Sequence, residues 1–101
     1  MPIEVCVRHI EVSDALKDFA HERFTHAVRH VQKISKGRVV LERSGSATTA
    51  SEHRVHAEVH SELGHHHAQS VGPDLRQCIE RATEKLQTQI GRDHERRGSR
   101  H

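Results

Sequence analysis

"IEVCVRHIEVSDALKDF", residues 3–19, changes its hydrophobic period halfway along, and that change decides the fold. In the first half Ile3, Val5 and Val7 alternate with Glu4, Cys6 and Arg8, the period of a strand with one face against a core. After a short link, Ser13 offers a hydroxyl as helix cap, and Asp14 places a negative charge in the first turn, where the helix dipole favours it. Leu16, Phe19, Ala20, Phe24, Ala27 and Val31 then recur at helical spacing, which predicts a helix from Ser13 to about Gln32. The stretch reads as strand, link and capped helix.

The rest of the chain supplies the partners of that unit. Gly37 closes a linker, and the β-branched run "RVVLER", residues 38–43, reads as a second strand. "SGSATTAS", residues 44–51, is small and polar enough for a flexible loop. In "RVHAEVHSEL", residues 54–63, Val55, Ala57, Val59, Ser61 and Leu63 share one face while His56, Glu58, His60 and Glu62 share the other. Leu63 and Gly64 suit a two-residue turn, and "HHHAQSV", residues 65–71, runs back as a fourth strand. Pro73 and Asp74 start a second helix whose apolar stripe is Leu75, Cys78, Ile79, Ala82, Leu86 and Ile90. The expected order is β-α-β-β-β-α, an α+β fold with a four-stranded sheet and two helices packed on one face. The first two strands, joined through a helix, should run parallel with a right-handed crossover. Residues 1–92 form the expected domain, and 93–101, charged and without apolar period, a basic tail that frays.

A chain of 101 residues has room for one core, and with 33% apolar residues and only two Phe that core must be built from Val, Ile, Leu and Ala. The net charge of +2 is too small to announce a nucleic-acid partner by itself, so the distribution of charge has to decide. Twelve histidines make that charge adjustable near physiological pH. Cys6 and Cys78 stand far apart and read as buried free thiols in a reducing compartment. No segment has the length and hydropathy to span a membrane, and no leader pattern is visible, so a cytoplasmic protein without a membrane partner is expected.

The basic residues fall in lines. Arg23, His26, His30 and Lys33 step along one flank of the first helix, with Arg29 nearby; Arg81, Lys85, Thr88, Arg92 and Arg96 step along one flank of the second. If the helices lie side by side, these flanks could bound a shared groove for phosphate oxygens, bound by guanidinium groups in bidentate fashion. Taken singly, either line is first read as a solvated helix face. Two in one domain put an RNA-binding surface on level terms with that reading.

The histidines of the sheet offer a different chemistry. With Leu63 and Gly64 in the turn, His60 and His67 oppose each other, with Cβ atoms roughly 5 Å apart, close enough to share a transition metal. His56 and His65 fall on the same face. A closed zinc site wants four ligands in tetrahedral array, and no paired CxxC or HExxH is present, so a solvated His-rich face is the preferred reading and no metal or cofactor is expected. His66 should point inward with Ala68 and Ser70. Cys6 and His9, on a strand end, do not set a thiol beside a base; Ser13 is explained as a cap; and no Gly-rich phosphate loop occurs. No enzyme is expected.

"IEVCVRHIEVSDALKDFAHERF" together with "HAQSVGPDL" and "ATEKLQTQI" resembles the ribosome hibernation factors, also described as ribosome-associated translation inhibitors or sigma-54 modulation proteins. The likeness runs through about Arg92 and is most specific at the strand-to-helix passage. It implies the same β-α-β-β-β-α fold, in a short form without the second domain of the long members. It also implies a non-enzymatic translation inhibitor, a monomer when free, that binds the small ribosomal subunit and its ribosomal RNA where messenger and transfer RNA would sit. By position, Arg23, Arg29, Lys85 and Arg92 match basic positions of the family, and His26 replaces a frequent Lys. Thr88 stands where Arg is common, and Arg76 where an aromatic is usual. Two other readings stay open: a generic double-stranded RNA module, and a His-rich metal-binding protein.

Overall fold

Strand β1 (Ile3–Arg8) passes through a left-handed residue, His9 at φ 57°, before α1 (Asp14–Ala27) begins. The remaining elements are β2 (Lys36–Ser44), β3 (Glu52–Ser61), β4 (Gly64–Gly72) and α2 (Leu75–Gly98), in the expected order. This structure, a computed structural model, describes residues 3–44 and 52–98. The predicted loop at 44–51 therefore falls outside the described residues, apart from Ser44 at the end of β2.

The four strands form a single mixed sheet in the order β1-β2-β3-β4, with β1 parallel to β2 and the other two pairs antiparallel. Register places Val5, Val39, Ala57 and Ala68 in one transverse row and Val7, Leu41, Val55 and Ser70 in the next, all on one face. Both helices cover this face. Ala20, Phe24 and Val28 of the α1 region and Leu75, Cys78, Ile79, Ala82, Leu86 and Ile90 of α2 join the sheet residues in one core. The opposite face, with Glu4, Arg38, Glu42, His56, Glu58, His60, His65 and His67, carries no helix among the described residues.

Each helix starts on a side-chain cap. Ser13 Oγ accepts from the Leu16 amide at 3.2 Å, and Asp74 Oδ1 accepts from the Gln77 amide at 3.3 Å, satisfying donors that have no partner within the helix. Phe24, completely buried, lies on the backbone of Gly37: a Cβ there would approach Phe24 Cε1 to 2.9 Å. Gly37 is thus required by a ring and not by a turn.

The structure departs from the sequence expectations at four places. Helix α1 ends at Ala27 and not near Gln32. The Arg29 and Val31 amides bond to the His26 and Val28 carbonyls in tighter turns, Lys33 adopts φ 54°, and the Ser35 amide reaches the His60 carbonyl at 2.9 Å. Val31 remains buried after this turn, which is why its spacing reads as helical. The β3–β4 turn is Glu62–Leu63, because Ser61 pairs with Gly64, and Gly64 supplies φ 107° at the start of β4. His60 therefore faces His65, and Glu58 faces His67. The shift is two residues, so every side chain keeps its face, and His66 is buried beside Ala68 and Ser70 as expected. Helix α2 continues to Gly98 instead of fraying at Arg92; His66 Nε2 contacts Asp93 Oδ2 at 2.5 Å and ties the last turns to the sheet. Finally, Cys6 is half-buried on the outer face, not in the core. Cys78 is buried, and desolvation raises its thiol pKa above 9.0. Among the described residues, no helix is long and apolar enough to cross a membrane.

Candidate nucleic-acid interface

The two basic lines do not form opposite walls of one groove. On α1, Arg23 faces α2: its Nη2 stands 3.6 Å from Glu84 Oε1, and its side chain is 34% exposed. On α2, Lys85 Nζ donates to the Gln69 carbonyl at 3.1 Å and Gln89 Nε2 to the His67 carbonyl at 2.8 Å, so the Lys85 flank faces β4 and turns away from α1. Arg23 thus lies between the helices, while the Lys85 flank of α2 lies outside their contact.

On the outer flank, Arg81, Lys85 and Arg92 line an open groove of about 430 Å³ together with Glu84, Thr88 and Gln89. Arg81, Lys85 and Arg92 are exposed, and Arg81 and Arg92 form no ion pair among the described residues. Their guanidinium forks are thus available for bidentate contact with anionic oxygens. Thr88 breaks the line of charge, its hydroxyl bonded to the Glu84 carbonyl at 3.0 Å. Gln89 was missed in the sequence because it is uncharged; its spacing of one helical turn from Lys85 is the signal that could have found it. Arg96 lies on α2, one turn beyond Arg92, with its side chain outside the described atoms.

The α1 residues separate. Arg29 and His30 lie past the end of α1 and line a second groove of about 560 Å³ against Gln87, Ile90 and His94 of α2. Arg29 Nη1 also donates to the His26 carbonyl at 2.6 Å, closing the helix end. His26 is exposed in the last turn of α1. Lys33 leaves the group altogether and sits 3.6 Å from Glu62 in the β3–β4 turn. Arg76 lays its guanidinium over the Phe19 ring at 4.2 Å and joins the helices by a cation–π contact. Arg23, Arg29 and Lys33 thus each engage a partner within the fold, while Arg81 and Arg92 of α2 share one exposed groove.

The histidines gather on the bare sheet face. His60 and His65 stack with ring centroids 4.2 Å apart, His65 Nε2 stands 3.5 Å from Glu58 Oε2, and His67 Nε2 lies 2.8 Å from His56 Nδ1. The last contact needs one ring nitrogen to donate and the other to accept. The His56 pKa is lowered from 6.5, first by desolvation and then by the neighbouring His67.

With this geometry in view, residues 3–98 match the family model described as sigma 54 modulation protein / S30EA ribosomal protein. Among solved structures, the N-terminal domain of Thermus thermophilus Protein Y is similar at 26% identity and a TM-score of 0.73, over 91% of this chain and 98% of that one. A ribosomal subunit interface protein from Coxiella burnetii superimposes at a TM-score of 0.71 over 91% of this chain and 96% of that one; at 19% identity the likeness is one of fold. No curated protein matches the sequence.

Proposed function

The chain belongs to the sigma 54 modulation protein / S30EA ribosomal protein family, and from that premise we propose that it silences ribosomes by occupying the messenger and transfer RNA channel of the small subunit. A ribosome-associated role follows from the family itself. The finer reading is carried by one observation: Arg81 and Arg92, exposed and without an ion pair among the described residues, line one groove together with Lys85. Such a surface grips ribosomal RNA through phosphate oxygens, and phosphate contacts fix position without reading bases. Inhibition then requires only occupancy. No bond is made or broken, and the protein acts as a reversible plug in the cytoplasm.

The grooves differ in what they offer. The α2 flank supplies charge, while the inter-helix groove combines Arg29, His30 and His94 with the apolar Ile90. An RNA strand laid along α2 would engage the first, and a nucleotide turned out of its stack would fit the second.

Sedimentation with isolated subunits tests the proposal. The chain is expected to travel with small subunits, to stay behind with large ones, and to be displaced from small subunits pre-loaded with messenger and transfer RNA. Equal affinity for a plain RNA duplex at the same salt would replace this reading with that of a generic duplex-binding module.

A further inference from the structure

We propose that the bare face of the sheet carries a site for one divalent first-row transition metal ion, with Zn2+ the reference ion, held by Glu58, His60 and His65. The ligand atoms of these three residues lie within 4.8 Å of one another. They come from adjacent rungs of one hairpin: His60 and His65 are direct cross-strand partners, and Glu58 lies two residues along β3 on the same face. The backbone ladder therefore fixes the ligands' origins, while their half-exposed side chains keep the freedom to close.

A tetrahedral Zn2+ at about 2.0–2.1 Å from each ligand needs those ligands roughly 3.3 Å apart. The His65–Glu58 separation of 3.5 Å already meets this. Only rotations about side-chain torsions are needed to bring the rest inward. Two imidazole nitrogens and one carboxylate oxygen form a borderline donor set, suited to Zn2+, Ni2+ or Cu2+ and poor for Mg2+, which demands octahedral oxygen. Three protein ligands leave a fourth position open to water.

The surroundings are compatible with a bound cation. From β2, Lys36 and Arg38 stand opposite His60 and Glu58. Arg38 is engaged with Glu4 at 3.3 Å, and Lys36 is exposed at the beginning of its strand. His67 and His56 pair with each other on the other side of Glu58 and frame the site. The ligands lie on the sheet face opposite the helices, so metal binding and the RNA-binding flank of α2 are separable.

Calorimetric titration of chelator-treated full-length chain with Zn2+ tests the site, with Mg2+ as comparison. One equivalent should bind, Mg2+ should give no heat, and the thermal midpoint should rise with Zn2+ because the ion binds the folded hairpin. Loss of an outer partner of a metal ligand already costs about 10–100-fold in affinity, so a His60→Gln, His65→Gln variant should lose at least that much. Glu58→Gln should weaken binding with circular dichroism unchanged, and His21→Gln on α1 should bind as the parent does. Absence of saturable Zn2+ binding, or undiminished binding by the folded double variant, would overturn the site. Ribosome sedimentation of the His60→Gln, His65→Gln variant should match the parent, which keeps the two proposals independent.

Discussion

Replacing Arg81 and Arg92 together with glutamate should abolish ribosome association while the chain remains folded. Both side chains are exposed and lie off the buried stripe of α2, so their loss removes no core contact. Lys85 is a poorer choice for this test because its ammonium is already bonded to the Gln69 carbonyl. A hydrogen bond to a charged group contributes about 1.5–3 kcal/mol, so two lost phosphate contacts correspond to roughly a hundredfold or more in affinity before repulsion is added. Salt dependence provides a second reading. Each phosphate contact removed should flatten the slope of log affinity against log salt by about one. A folded double variant that co-sediments as the parent does, with the same salt slope, would remove α2 from the interface.

The largest effect on stability is expected at Phe24. This is the only phenylalanine in the fully buried core, where it packs against Gly37. Truncation to alanine should cost about 3–5 kcal/mol, a large part of the roughly 5–15 kcal/mol available to a domain of this size. At about 4–8 °C per kcal/mol, the thermal midpoint should fall by well over 10 °C. Gly37→Ala should cost about 1–3 kcal/mol by itself, because the new methyl meets a ring with no room to retreat. In the Phe24→Ala background the same methyl enters the vacated space. The two changes should then couple by about 0.5–3 kcal/mol, the double variant being less damaged than the sum of the singles. Strict additivity in chemical denaturation would show that ring and glycine do not constrain each other.

What could be read from the sequence was whatever depended on period. Val5 and Val7 in β1 and Val55, Ala57 and Val59 in β3 alternate with outward-facing neighbours, and their faces and common core followed from that. Features set by contact at a distance were hidden. Val31 keeps helical spacing although the helix has already ended, since burial and not helicity fixes its position. The run His65–His66–His67 carries no polarity contrast, so the turn could slide by one residue, and the pairing by two, without disturbing either face. The candidate interface was legible as two lines of charge, but their placement was not. A line of basic residues gives its angle about its own helix; which flank meets the neighbouring helix is decided by pairs such as Arg23–Glu84 and Arg76–Phe19.

The reach of Lys85 and Gln89 to the carbonyls of Gln69 and His67 has a consequence for how the molecule survives at high concentration. Strand β4 has a neighbour on one side only, and an uncovered strand border can template the addition of another chain. Two long side chains descending from α2 occupy acceptors along that border and set a positive charge beside it. A second copy arriving to extend the sheet would have to displace both donors and bring its own backbone against the ammonium group. The helix whose flank is proposed to meet RNA thus also obstructs extension of the sheet at its β4 border.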